Sequence, residues 1–240
     1  EVKFLRAIAI SKAGTDDRAV SSMLMLNYAR AVRDLGRLPE AAGLAERAYE
    51  KAQAAKQQVV VNQALILRGS IYRDSKDLSR SAQMFSEVEP LLRKALPAGH
   101  MAFASIALER AMNAQAGGDL AAARALVDQA KSIIEPSIQA GRQGKDFMPT
   151  LLVRSSRLAL LEARPAQAVE ESQRAIALLK ASFPSLRYSS SLGRAYLASG
   201  LALKAQGKTD EAKRDFAQAS QHLEFALGAN HPEARAAKSH

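Results

Sequence analysis

Four histidines, His100, His222, His231 and His240, are the residues whose type could most readily support metal binding or proton transfer. A zinc hydrolase needs two histidines one helical turn apart, a glutamate between them and a third ligand. His222 has Glu224 nearby in sequence but no His-Glu-x-x-His spacing, so no metal site is expected. His100 and His231 occupy the same place in two repeats, each just before a helix, which predicts capping or linker packing. The stretch from Gly141 to Asp146 carries the glycine and lysine of a phosphate-binding loop, yet Asp146 stands where the hydroxyl residue belongs and no strand precedes it. It lies in the longest connection, Pro136 to Pro149, which is read as a connector and is also the candidate functional loop. Ser189, Ser190 and Ser191 have no histidine placed to act as a base and read as a helix start. Glu170 and Glu171, set among arginines, read as a solvated ion-pair face. The chain has no cysteine, which excludes a disulfide framework, a thiolate metal site and a cysteine nucleophile. The residues therefore predict no catalytic activity, no cofactor and no metal.

The elements that hold these residues are helices. Of 240 residues, 48% are hydrophobic, while glycine (13), proline (8) and aromatics (5%) are scarce, and the intervals are filled by strong helix formers. The one β-branched run, Val59 to Val61, continues into the helical pattern Leu65, Ile66, Gly69, Tyr72. No apolar run approaches the ~18 residues of a membrane span. The opening residues lack the layout of a signal peptide and an initiator methionine, so the expectation is a cytoplasmic piece excised from a longer chain, residues 1 to about 12 being the last helix of what precedes. The net charge of +10 favours acidic partners or nucleic acid, although basic residues lie along the whole chain and form no tail.

A motif recurs through the chain: a turn residue, a helix start, an alanine five positions on and a second small residue seven further. It reads Gly36, Ala41, Ala48; Lys76, Ser81, Val88; Gly118, Ala123, Ala130; Ala163, Ala168, Ala175; and Gly207, Ala212, Ala219. The turn positions are 40, 42, 45 and 44 residues apart, giving five repeats. Glycine after the first helix supplies the left-handed C-terminal cap. Pro39 and Pro165 sit in the first turn of a second helix, where a missing N–H costs nothing. Upstream of each turn an apolar stripe marks the first helix, as in Met25, Tyr28, Ala29, Val32 or Tyr196, Gly200, Leu203, so Tyr72 and Tyr196 are expected to be packing residues. The expected helix pairs are about 16–35 with 39–55, 58–75 with 78–95, 99–116 with 120–139, 147–162 with 165–182, and 186–206 with 209–227.

With these residues in place, the chain resembles the tetratricopeptide repeat family over nearly its whole length, Gly200, Leu203 and Gly207 to Ala212 being the best match. The period exceeds that family's usual 34 residues and is similar to the longer repeats of the kinesin light chain type. The segments Ala95 to His100 and Leu227 to Pro232 resemble that subgroup's linker. Departures occur at Ala107, where a bulky residue is usual, and at Lys76, which replaces glycine. The resemblance implies an all-α, right-handed superhelical solenoid of about five antiparallel helix pairs forming a single domain.

In such a solenoid the first helix of each pair lines the concave side. The expected groove holds Leu26, Asn27, Arg30 and Arg33; Ile66, Leu67, Ser70 and Arg73; Leu108, Glu109, Met112 and Gln115; Val153, Arg154, Arg157 and Leu160; and Arg194, Leu197, Leu201 and Lys204. Aliphatic groups beside arginines suit a protein or peptide segment with apolar anchors and acidic residues. Arg154, Arg157 and Arg194 are expected to converge, unless carboxylates such as Glu109 or Glu162 pair with them instead. The resemblance also argues against a clamp for chaperone C-terminal carboxylates, since the matching positions hold Leu26, Arg30, Leu67, Ser105 and Glu109. Two other functions compete: a regulatory or sensor region of a larger kinase or transcription regulator, and nucleic-acid binding through the basic surface. The second is disfavoured by the absence of tryptophan and the few aromatics available for stacking. The sequence leaves the oligomeric state open.

Overall fold

The computed structural model describes residues 2–12, 20–142, 144–182 and 188–240. Among these there are twelve helices and no strand. They fall into two compact units, Glu1–Pro97 and Ala98–His240. The first unit holds α1 (Val2–Lys12), α2 (Ser22–Asp34), α3 (Leu38–Ala54), α4 (Gln58–Asp74) and α5 (Leu78–Ala95). The second holds α6 (Met101–Ala116), α7 (Leu120–Gln139), α8 (Met148–Leu161), α9 (Pro165–Ser182), α10 (Ser190–Ala205), α11 (Thr209–Leu227) and α12 (Pro232–Lys238). Helices α2/α3, α4/α5, α6/α7, α8/α9 and α10/α11 are the five expected pairs, each packed internally. The starts expected at about 16 and 186 fall outside the described residues, and so does Gln143 in the long connector. Helix α12 is an element that the five-repeat pattern does not include.

The turns fix the register of every pair. Gly36, Lys76, Gly118, Ala163 and Gly207 all lie at positive φ (78°, 68°, 85°, 56° and 76°). At each turn the next residue's N–H reaches back five residues: Arg37 to Val32 O (3.1 Å), Asp77 to Tyr72 O (2.8 Å), Asp119 to Ala114 O (3.0 Å), Arg164 to Ala159 O (2.8 Å) and Lys208 to Leu203 O (3.0 Å). This is the Schellman closure that satisfies orphan carbonyls at a helix end. Lys76 therefore takes the glycine position, and the motif is in register in all five repeats.

Small residues set how closely the paired helices approach. Ala41, Ala123, Ala168 and Ala212 are all buried. Seven positions before each turn stands another small residue: Ala29, Gly69, Ala111, Ser156 and Gly200, all buried. Where that residue is glycine, the partner helix fills the space with an aromatic ring. A Cβ on Gly69 would lie 2.8 Å from Phe85 Cε1, and one on Gly200 would lie 2.7 Å from Phe216 Cε1. In the fourth pair both sides are serines, and their hydroxyls donate to one carbonyl, Ser156 Oγ and Ser172 Oγ each 2.7 Å from Ala168 O. The helices of a pair are thus held by complementary volumes at one contact point.

Candidate functional site

The first helices of the pairs carry the groove residues, and in each unit much of their surface is consumed by packing. In the first unit, Leu26, Leu67, Ser70 and even Arg73 are buried, Arg73 being only 4% exposed. Ser70 Oγ donates to Ile66 O inside its own helix (3.0 Å). In the second unit, Leu108, Glu109, Val153 and Leu197 are buried. These expected groove positions are core positions. A first helix packs against its partner and also against neighbouring pairs, so its buried arc is wide and leaves a narrow accessible strip. The half-buried members of the expected set are Asn27, Arg30, Arg33, Ile66, Met112, Gln115, Arg154, Arg157, Leu160, Arg194 and Leu201, with Lys204 exposed.

Most of the arginines on that strip are tied down within the chain. In the first unit, Arg33 Nε donates to Asp74 Oδ2 at 2.7 Å, and Arg73 Nη2 lies 3.1 Å from Asp74 Oδ1. Arg30 differs, because its hydrogen bonds go to neutral amides, Asn27 Oδ1 at 2.7 Å and Gln63 Oε1 at 3.2 Å. Burial holds its guanidinium pKa below the ordinary arginine value.

In the second unit, α6, α8, α10 and α12 bring three arginines and two carboxylates together. Arg154 Nη2 donates to Glu109 Oε1 at 2.5 Å, and Arg194 Nε to Glu233 Oε2 at 2.7 Å. Arg157 Nη2 stands 3.8 Å from Glu233 Oε1, beyond hydrogen-bond range. Burial lowers the Arg157 pKa; Glu233 opposes the shift, while Arg194 and Arg154 add to it. Three guanidiniums against two carboxylates leave one positive charge in excess, centred on Arg157. Of the two carboxylates expected to compete for these arginines, Glu109 does pair with Arg154, whereas Glu162 pairs with Arg124 and Arg164. The repeat motif stops short of Glu233, although the repeated His-cap position at 231 signals that another first helix begins there.

Three of the four histidines hold helix starts in place. His100 Nδ1 accepts from Ala102 N and His231 Nδ1 from Glu233 N, each at 3.2 Å, so both cap a helix as their position implies. His222, only 7% exposed, accepts from Ser189 N at 3.2 Å and stacks on Tyr196 with centroids 5.8 Å apart. Its pKa is lowered, first by burial and then by Lys180. Ser189 in turn caps α10, as a helix-start serine should. Among the described residues no group of three or more acidic or histidine side chains is placed to hold a metal, and no helix is long and apolar enough to cross a membrane.

No protein-family model matches the sequence, and no curated protein matches it. Among solved structures, the chain is similar to BtubC (BKLC) from P. vanneervenii, with 15% identity, a TM-score of 0.63 and coverage of 96% of this chain and 92% of that one. It is also similar to the nearly identical TPR-like repeats described for a kinesin light chain of Podosopora anserina, with 18% identity, a TM-score of 0.54 and coverage of 85% and 96%. A variant of those repeats gives a TM-score of 0.56 at the same identity and coverage. At such identities the likeness concerns the fold, and together with the five capped repeats it shows that this chain has the all-helical fold of TPR-like repeat solenoids.

Proposed function

We propose that this chain is a non-catalytic scaffold whose first-helix faces bind a protein segment with apolar anchors and at least one acidic residue, Arg157 being the principal charge contact. The carrying observation is the balance of charge around Arg157. Its neighbours Arg154 and Arg194 each hold a carboxylate at hydrogen-bond distance, while Arg157 has, among the described residues, the far oxygen of Glu233 at 3.8 Å. A part-buried guanidinium short of a partner gains from an incoming carboxylate, which it can grip in a bidentate fashion. Met112 on α6, Leu160 on α8 and Leu201 on α10, all half-buried, supply aliphatic surface for the anchors. In the first unit, Arg30 with its neutral partners offers a second, separate cation.

The test is a display library of random ten-residue peptides selected on the 240-residue chain, then measured against variants. Arg157→Gln should weaken selected peptides about tenfold, and Arg154→Glu/Arg157→Glu should abolish binding while circular dichroism stays helical. Affinity should also fall with rising salt, since exposed charges are screened beyond ~8–10 Å. Selected peptides that bind Arg157→Gln as well as wild type would overturn the role of Arg157. Selection of neutral or basic peptides would overturn the acidic partner.

A further inference from the structure

A cleft of about 320 Å³ opens in the second unit between the second helices α7 and α9, with α8 at its base. It is lined by residues other than those expected in the groove, and its carboxylates outnumber its cations. The floor is apolar, formed by Val127, Met148, Leu151 and Leu152, all buried. One end is polar and largely wired. Arg124 donates to both oxygens of Glu162 and, at 3.2 Å, to Ser155 Oγ. Ser155 Oγ donates to Glu171 Oε1 at 2.8 Å, and Gln167 Nε2 donates to the same oxygen at 2.9 Å. The other oxygen, Glu171 Oε2, is buried and receives no hydrogen bond from the described residues.

That leaves a carboxylate with one oxygen accepting two hydrogen bonds and the other none, beside a cleft whose open walls are mostly polar above the buried apolar floor. A buried acceptor without a donor is costly, and an incoming charged donor removes the cost. The rim supports the same sign. Asp128 and Glu170 line the cleft, Lys131 is directed to Glu135 at 3.8 Å, and Arg124 is committed to Glu162, so among the described residues Arg174 is the one rim cation without an ion pair.

We propose that this cleft receives a lysine or arginine side chain from a partner protein, its aliphatic stem on Met148, Leu151 and Leu152 and its charged head on Glu171 Oε2. The chain then carries two recognition surfaces of opposite preference, an arginine-centred one on the first helices and a carboxylate-centred one between α7 and α9.

The minimal probe is hexylammonium chloride, titrated into the 240-residue chain and followed by amide and side-chain NMR shifts, with hexanol as neutral control. A ten-residue lysine-containing peptide and its acetyl-lysine counterpart form the second arm. Hexylammonium and the lysine peptide should shift Ser155, Gln167 and Glu171, hexanol and the acetylated peptide much less. Glu171→Gln, which keeps the size of the side chain and removes its charge, should weaken the amine about tenfold, while Arg174→Gln should strengthen it. Should Glu171→Gln perturb the helices, Asp128→Asn gives a second reading of the same charge dependence. Equal binding of amine and alcohol, or no effect of either carboxylate change, would overturn the proposal and leave Glu171 Oε2 to water. Binding of hexylammonium without the lysine peptide would overturn the assignment to a protein side chain.

Discussion

An L-residue held in the left-handed region carries roughly 1 kcal/mol of strain, because its Cβ crowds the following carbonyl oxygen. Ala163 (φ 56°) and Lys76 (φ 68°) both do so at helix ends that elsewhere use glycine. Ala163→Gly relieves that strain and loses part of the gain to the greater freedom of glycine in the unfolded chain. The expected net effect is a rise of up to about 1 kcal/mol in urea-denaturation stability, whereas Gly207→Ala (φ 76°) should lose about 1 kcal/mol. The opposite signs at one repeat position make the pair of variants diagnostic. His222 provides a pH test at the same scale. Its folded pKa lies below the ordinary value because it is buried beside Lys180, so on acidification the unfolded chain takes up the proton first. The stability it contributes is complete above the unfolded value of about 6.5 and is lost as pH falls through the lower folded value. A His222→Gln variant should therefore show a shallower fall in melting temperature between about pH 6.5 and 5 than wild type. Parallel slopes would show that His222 does not titrate with folding. The capping histidines are legible in the sequence from their repeated place before a helix. The role of His222 is not, because its partner Ser189 lies 33 residues away in the chain.

At the scale of helices, legibility follows periodicity. The apolar stripe and the turn motif locate all five pairs, since both arise from local geometry that repeats in register. Which residues of a first helix stay accessible is not legible, because that depends on ion pairs such as Arg33 with Asp74 and Arg154 with Glu109, 41 and 45 residues apart. Leu26 and Leu197 stand at helical spacing from Arg30 and Arg194, and only the three-dimensional packing assigns them to the core. The glycine–aromatic contact between paired helices is the sharpest packing claim. Gly200→Ala places a methyl 2.7 Å from the Phe216 ring, so the ring or the helix must shift. The expected cost is about 1–3 kcal/mol. Phe216→Leu alone creates a void, but combined with Gly200→Ala it should recover part of the loss. A double-mutant cycle in chemical denaturation measures the coupling, and purely additive losses would mean that the two positions do not touch.

Within each unit, stability is a sum over neighbouring pairs, because each helix pair packs chiefly on the next pair of that unit. In the second unit, α10 packs on both α8 and α9 as well as on its own partner α11, and α12 packs on α11. A chain ending at Ser182 loses α10, α11 and α12 together. That uncovers apolar side chains such as Leu158, Ile176 and Leu179, which belong to the same buried cluster as Tyr196, Leu203 and Leu223. It also removes Glu233, leaving Arg157 without the carboxylate it shares with Arg194. The remaining pairs keep their own capped turns and small-residue contacts, which are internal to each pair. The truncated chain should thus keep a helical far-ultraviolet spectrum, with ellipticity per residue near that of wild type, while its urea midpoint falls and its apolar-dye binding rises. Loss of helicity throughout the remaining pairs at about 25 °C would show that the last pairs are required for the others to fold, and that the stack behaves as one indivisible cooperative block instead of a series of neighbour contacts.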